Sequence, residues 1–237
     1  KFAKDPDEIW YVTDRDNEFD RLATLNLKTK KISYFTSAIP WEVSGYTLSK
    51  DKSKIAFETN ESGLNKLYLM DTNSKKYSEI KGLPVGLVNN FDFTDDGKSL
   101  FFSQSTYDSS ADIYRLDLAS GKIERWTDSE QGEMQKADMS QPKLIEWKSF
   151  DDMKITGFYY PVSKKFTGKR PVLINIHGGP EGQSMASSLG SGNYYTNEMG
   201  VALIYPNVRG SSGFGKTYIA SDNGFNRMNA VKDIGAL

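Results

Sequence analysis

The chain has 237 residues, of which 38% are hydrophobic and 26% charged, the balance of an ordinary globular protein with one large or two modest domains. Its formal net charge is −1, from 30 basic and 31 acidic residues, so the charge does not favour binding to nucleic acid or to an acidic membrane. No apolar run reaches the roughly 18 residues needed to span a bilayer. The absence of cysteine excludes a disulfide framework and a thiolate nucleophile, and a single histidine argues against a zinc site. We therefore expect no cofactor and no metal, and the compartment stays open between the cytoplasm and the periplasm or exterior.

The first half of the chain contains three copies of one pattern of strands and turns. The copies span residues 4–36, 46–80 and 91–127. Ile9, Ile55 and Leu100 begin matching strands, the last two about 45 residues apart, which is the period of a four-stranded propeller blade. The phrases "LNLKTKKI", "MDTNSKKY" and "LDLASGKI" carry turn-forming Asn, Asp, Ser and Gly at corresponding places. Hairpins of a sandwich are the alternative interpretation, but the repeated order favours propeller blades.

We predict that residues 1–138 form a partial β-propeller of about three four-stranded repeats. Closed propellers need roughly four to eight blades, so three cannot close a ring. The remaining blades are expected outside this sequence, so the chain would start inside a propeller.

From residue 139 onward the pattern changes to that of an α/β domain. Residues 145–162 read as an antiparallel strand pair joined by "FDDMK". The apolar runs at 171–177 and 201–210 are typical of strands buried on both faces of a parallel sheet. Residues 184–200 between them predict a helix interrupted by glycine.

The chain ends in a second predicted helix, "NRMNAVKDIGAL", in which Met228, Val231 and Ile234 share one face. Asp233 on this helix is expected at the surface or as a cap. In open sheets of this kind, ligands bind beyond the carboxyl ends of the strands, where both glycine-rich turns of this region fall.

The first of these turns, "HGGP", follows the apolar run 171–177 and contains the only histidine, His177. Consecutive glycines let the backbone turn sharply and present N–H groups, and such groups can stabilise the oxyanion of an acyl intermediate. A turn of the HGGG type has this role in α/β-hydrolases, where its histidine is not the triad base. A plain turn with a satisfied polar histidine is the simpler interpretation of the motif alone.

The pair "IHGGPEGQ" and "YPNVRGSSGFGKTY", followed by "VKDIGAL", resembles the prolyl oligopeptidase family of serine peptidases, and its acylaminoacyl-peptidase and dipeptidyl-peptidase branch in particular. The resemblance implies a propeller that limits access to short peptide substrates, followed by an α/β-hydrolase domain, here its N-terminal part at residues 139–237. It implies a Ser-Asp-His triad, and an oxyanion-hole N–H from Gly178 or Gly179, with Gly179 preferred. His177 would brace the turn; some dipeptidyl-peptidase relatives have tyrosine at this position.

Other polar residues near the second turn are given structural roles. Ser211 and Ser212 lack the G-x-S-x-G context of a nucleophile, and both are expected to stabilise a turn. Arg209 fits a buried pairing residue or a solvated loop arginine equally well. Lys216 after "GFG" belongs to no phosphate-binding loop.

The sequence departs from the family because it contains no G-x-S-x-G. We expect the triad beyond residue 237, a serine peptidase as the parent protein, and no activity in this piece alone. The alternatives are a non-catalytic propeller that binds peptide or protein beside a degenerate α/β domain, and an esterase or lipase. Short peptides are the expected partners, nucleic acid and a membrane span are not expected, and self-association is left open.

Overall fold

The structure is a computed structural model that describes residues 1–130, 132, 134–179 and 181–237. Within these residues it contains fifteen β-strands, two short α-helices and a few single turns of 3₁₀ or π type, so the chain is nearly all β. It divides into two compact units. The first unit comprises Lys1–Pro84, Val88–Gln104 and Asp112–Asp128, and the second comprises Val85–Leu87, Ser105–Ala111 and Ser129–Leu237.

Three sheets correspond to the three sequence copies. Their strands are β1 (Glu8–Thr13), β2 (Arg21–Asn26), β3 (Ile32–Tyr34), then β4 (Glu42–Leu48), β5 (Lys54–Glu61), β6 (Leu64–Asp71), β7 (Tyr77–Glu79), then β8 (Gly86–Phe93), β9 (Ser99–Thr106), β10 (Ser109–Asp117) and β11 (Ile123–Arg125). Strands adjacent in sequence are adjacent in each sheet. Ile9, Ile55 and Leu100 lie on β1, β5 and β9, so the predicted correspondence of the copies is confirmed. The first sheet has three strands among the described residues rather than the predicted four.

One turn is built three times at the end of corresponding strands. Asn26, Asp71 and Asp117 each accept, through the side-chain oxygen, the backbone N–H three positions later, at 2.8, 2.7 and 2.9 Å. The N–H four positions later donates to the backbone carbonyl of the same residue at 2.9 Å in every copy. The residue at that place has a positive φ, 59° at Lys30, 61° at Lys75 and 71° at Gly121. The repeat is therefore one of backbone geometry as well as of sequence.

The sheets of the first unit pack face to face around two apolar cores. The core between the first and second sheets consists of Ala3, Trp10, Leu22, Ile39, Val43, Ile55, Phe57 and Met70. The core between the second and third sheets consists of Ala56, Leu67, Val88, Leu100, Phe102, Tyr114 and Leu116. Successive side chains of a strand point to opposite faces of its sheet. Ile55 and Phe57 therefore face one core and Ala56 faces the other, so both faces of β5 are buried.

The second unit contains a four-stranded mixed sheet of order β12-β13-β15-β14. Its strands are β12 (Lys143–Lys148), β13 (Lys154–Tyr160), β14 (Val172–Ile174) and β15 (Ala202–Asn207), followed by helices α1 (Lys216–Ala220) and α2 (Arg227–Gly235). β12 and β13 form the predicted antiparallel pair. β15 runs antiparallel to β13, while β14 runs parallel to β15.

Two predictions are wrong, one for the burial of β14 and one for the connection between β14 and β15. The apolar run 171–177 was expected to be buried on both faces, but Val172 and Leu173 are 50% and 45% exposed because β14 is a short edge strand. Instead of a helix over 184–200, the chain forms a 3₁₀ turn at Gly190–Gly192 and a π-helical turn at Tyr195–Met199. Positive φ at Gly190 interrupts a regular helix there. The alternation of strand and helix expected of an α/β domain is thus present only in part.

The C-terminal helix forms as predicted, but its exposure differs from expectation. Met228 and Val231 on the apolar face of α2 are 63% and 56% exposed. Asp233, expected at the surface or as a cap, is fully buried. A buried carboxylate requires partners, and these are found in the second unit.

Candidate functional site

Two glycine-containing corners lie at the same edge of the second unit's sheet. The first corner, residues 177–182, follows β14, and the second corner, residues 208–212, follows β15. Because β14 and β15 are parallel, with Val172 opposite Ala202 and Ile174 opposite Ile204, their carboxyl ends meet. Pro180 of the "HGGP" motif lies outside the described residues.

Gly178 and Gly179 form the exposed tip of the first corner. Gly179 has φ of 130°, a conformation that side chains disfavour, and a Cβ there would lie 2.9 Å from the Gly182 nitrogen. A Cβ at Gly178 would meet nothing within 4 Å. Among the residues that the structure describes, neither backbone N–H has an acceptor. The corner therefore presents two backbone donors at the sheet edge, and its shape requires glycine at 179 only.

His177 is half-buried and binds the second corner rather than facing solvent. Its Nε2 lies 2.8 Å from the Ser211 Oγ, and its Nδ1 lies 3.2 Å from the Gly178 carbonyl oxygen. Ser211 is fully buried, and its hydroxyl donates to the Val208 carbonyl at 2.6 Å. The histidine side chain thus connects the two corners, and Ser211 lies in a turn as expected from the sequence.

The second corner makes a backbone connection to the first as well. The Ser212 N–H donates to the Gly182 carbonyl at 3.1 Å. Gly210 has φ of 91°, and a Cβ at that position would collide with the carboxylate of Asp222. Both the dihedral angle and the lack of space therefore demand glycine at position 210.

Arg209 is a buried pairing residue, which decides between the two roles left open by the sequence. It is 4% exposed, and its Nη2 lies 2.8 Å from Asp151 Oδ1 and 2.8 Å from Asp233 Oδ1. The hydrogen bonds that Arg209 donates to Asp151 and Asp233 raise the pKa of Arg209 above its usual range. The bond from Arg209 in turn lowers the pKa of Asp151. The guanidinium remains charged, and it fixes the second corner to the β12–β13 turn and to α2.

Asp233 is the centre of this ion-pair cluster, a position that the sequence analysis missed. Its Oδ2 accepts the Arg209 backbone N–H at 2.9 Å, and its Oδ1 accepts the Ser149 hydroxyl at 2.5 Å. The Trp147 indole N–H donates to the Asp233 backbone carbonyl at 2.9 Å. The only sequence signal was Arg209, two residues after a buried strand, and that position is compatible with a buried acidic partner without saying which one.

A cavity of about 300 Å³ lies beside His177. Its wall includes Tyr160, Asn175, Ser184 and Tyr205. The Tyr160 hydroxyl donates to the Ser187 carbonyl at 2.8 Å, and burial raises the pKa of Tyr160 to about 12. This phenol is therefore neutral at physiological pH and serves as a hydrogen-bond donor.

Several other kinds of site are not found in the part of the chain that the structure describes. No group of three His, Cys, Asp or Glu side chains is placed to hold a metal ion. None of the helices described has the length and apolar character required to cross a bilayer.

Sequence comparison finds no family model that matches the chain. Among curated proteins, the uncharacterized peptidase YuxL of Bacillus subtilis (strain 168) is 25% identical over 161 residues, which cover 62% of this chain and 23% of that protein. The chain is thus similar in sequence to a peptidase, over less than a quarter of that peptidase's length.

Comparison with solved structures identifies the fold. A puromycin hydrolase superposes with a TM-score of 0.85 at 19% identity, covering 100% of this chain and 37% of that one. The chain has the fold of the prolyl oligopeptidase family. A prolyl endopeptidase matches 97% of this chain and 34% of its own, with a TM-score of 0.81 at 17% identity. The acylaminoacyl peptidase of Pyrococcus horikoshii matches 98% of this chain and 36% of its own, with a TM-score of 0.74 at 20% identity.

The resemblance to the prolyl oligopeptidase family inferred from the two motifs is therefore confirmed. The chain spans little more than a third of the length of these structures. The three blade-like sheets formed by β1 to β11 fit the β-rich part of this peptidase fold.

Proposed function

We propose that this chain is part of a serine peptidase of the prolyl oligopeptidase family that hydrolyses short peptides, of the acylaminoacyl or dipeptidyl type. Residues 1–138 would form propeller blades that limit access to the site. Residues 139–237 would form the N-terminal part of an α/β-hydrolase domain, for which the parallel pair β14–β15 is the supporting feature. A Ser-Asp-His triad would be supplied by sequence beyond residue 237.

The observation that carries this proposal is the first corner at the carboxyl end of β14. Acyl transfer develops negative charge on the substrate carbonyl oxygen, and backbone N–H groups fixed in advance stabilise that charge without reorganising. Gly178 and Gly179 are proposed to supply such donors, with Gly179 preferred because its φ of 130° sets the direction of the turn. His177 and Arg209 would support this arrangement through the second corner.

A non-catalytic propeller module that binds peptide is the second candidate, and one observation favours it. The 237 residues contain no G-x-S-x-G, so they hold no nucleophile elbow of the α/β-hydrolase type. Without a nucleophile and its base, covalent acyl transfer does not occur.

The test compares the longer protein that this proposal implies with the 237-residue chain, on aminoacyl and acyl-aminoacyl p-nitroanilides. We expect turnover by the longer protein, its loss after treatment with a serine-directed inhibitor, and no turnover by the chain alone. Peptide binding without turnover in the longer protein would favour the binding module. Faster hydrolysis of short acyl esters than of blocked peptides would favour an esterase.

A further inference from the structure

The hydrogen-bond pattern around Ser211 determines where the proton of His177 lies. A serine hydroxyl carries one proton, and the 2.6 Å separation between Ser211 Oγ and the Val208 carbonyl oxygen requires that proton between these two acceptors. Ser211 Oγ then has only lone pairs left for the His177 Nε2 at 2.8 Å. The proton in that contact must therefore belong to Nε2.

The other edge of the imidazole contacts the turn that contains the two candidate donors. The Nδ1 lies 3.2 Å from the Gly178 carbonyl oxygen. In a neutral ring protonated on Nε2 this contact joins two acceptors, so it limits the position of the peptide by packing and not by a hydrogen bond. A Cβ at Gly182 would lie 3.0 Å from the same Nδ1 and 2.5 Å from the Gly178 carbonyl oxygen, so the turn closes tightly against the ring. Rotation of the ring would displace the peptide that contains the Gly178 carbonyl and the Gly179 N–H.

The serine side of the contact between Ser211 and His177 is closed to solvent. Ser211 is fully buried, and the adjacent backbone bond from Ser212 to Gly182, at 3.1 Å, closes the same side of the two corners. Loss of the hydroxyl would leave the Nε2–H without this acceptor, which is costly in a buried site, while the Val208 carbonyl would keep the Ser211 backbone N–H at 3.1 Å.

We propose that Ser211 is a positioning residue. Its hydroxyl keeps the proton of His177 on Nε2, and this fixes the orientation of the imidazole ring. The ring in turn holds the Gly178–Gly179 peptide in the orientation needed to bind an oxyanion. This proposal rests on the proposed peptidase function for its catalytic consequence, but not for its hydrogen-bond geometry. Ser211 does not touch the substrate, and it acts through His177.

The first test is the tautomer of His177, read by ¹⁵N nuclear magnetic resonance of the histidine-labelled 237-residue chain, in which this residue is the only histidine. We expect a protonated Nε2 in the wild type, with slow exchange of that proton. Ser211→Ala should give mixed tautomers and fast exchange, and Ser211→Thr should restore the slow signal. Ser212→Ala is the matched control because the Ser212 bond to Gly182 uses its backbone N–H, so the wild-type spectrum should persist.

A neutral ring protonated on Nδ1 alone in the wild type would overturn the proposal, even if Ser211→Ala failed to fold. An unchanged spectrum in folded Ser211→Ala would overturn it as well. Circular dichroism of each variant shows whether it is folded.

The second test measures kinetics in the longer protein. Ser211→Ala should lower kcat between about 10- and 100-fold with little change in KM, since a small displacement of a transition-state donor acts on the chemical step. Ser212→Ala should leave both constants unchanged. If the wild type hydrolyses nothing, the proposed function fails while the tautomer result still decides the role of Ser211. Equal kcat values in wild type and Ser211→Ala would overturn the positioning role alone.

Discussion

Arg209 and Asp233 form a buried ion pair in which the guanidinium Nη2 lies 2.8 Å from the carboxylate, with the two side chains 5% and 0% exposed. The same carboxylate accepts the Arg209 backbone N–H. Removal of Arg209 would leave the fully buried Asp233 carboxylate without its cation, which is more damaging than loss of an exposed pair. The pair therefore links the second corner to α2.

We predict that Arg209→Ala lowers the free energy of unfolding by about 3–5 kcal/mol, the usual effect of breaking a buried ion pair. Denaturation by urea, followed by circular dichroism, measures the change. Lys148→Ala is the control, because its partner Asp152 is 3.1 Å away and both side chains are largely exposed. Its effect should stay below about 1 kcal/mol. Equal losses for the two variants would contradict the assigned role of Arg209.

Gly179 and Gly178 should respond differently to the same added methyl group. Gly179→Ala introduces strain of about 1–3 kcal/mol, because it combines a φ of 130° with a Cβ 2.9 Å from the Gly182 nitrogen. Gly178→Ala meets nothing within 4 Å and should be tolerated. Thermal unfolding of the two variants tests the geometry, and a loss of roughly 100-fold in kcat for Gly179→Ala in the longer protein would match a displaced oxyanion donor. Indistinguishable variants would refute the shape described for the first corner.

Substitutions at two corresponding positions of the repeated turn should change the stability in opposite directions. Lys30 adopts φ of 59° where Gly121 adopts 71° in the third copy. The left-handed conformation costs a non-glycine residue about 1–2 kcal/mol, while glycine costs about 0.5–1 kcal/mol in chain entropy. Lys30→Gly should therefore stabilise slightly, and Gly121→Ala should destabilise by a similar amount. Differential scanning calorimetry gives both signs, and destabilisation by both substitutions would contradict the equivalence of the turns.

We predict that the stability of the first unit depends on pH because of Glu58. Burial raises its pKa from 4.5 to about 7, and a hydrogen bond with Ser44 opposes this shift less strongly. Between these two values the folded state keeps a proton that the unfolded state loses, so stability should fall as pH rises from about 4.5 to about 7. The full effect is up to about 3 kcal/mol.

Glu58→Gln should remove this slope, because the amide cannot ionise. Glu146→Gln serves as the control, since Glu146 is a half-exposed carboxylate beside Lys154. Urea titrations at a series of pH values give the comparison. A slope that survives Glu58→Gln would show that another group is responsible.

The sequence was informative wherever structure is determined locally. The matching strands at Ile9, Ile55 and Leu100 were predictable because period-two alternation and Asx-type turns are short-range signals. The meeting of the two corners was predictable because two parallel neighbouring strands bring their carboxyl ends to one edge.

The failures involve features set by distant parts of the chain. The exposure of β14 depends on its edge position in the sheet, which its apolar sequence does not encode. Asp233 looked like a surface residue because its partner Arg209 lies on another element. Ser211 was correctly placed in a turn, but its contact with His177 joins two corners far apart in sequence.

The most direct test of the peptidase account is covalent labelling of the longer natural protein with a serine-directed fluorophosphonate, followed by mass spectrometry of its peptides. The account predicts a single labelled serine, in a G-x-S-x-G sequence beyond residue 237, and no label within residues 1–237. Labelling of Ser211 or Ser212, or no labelled serine at all, would contradict it.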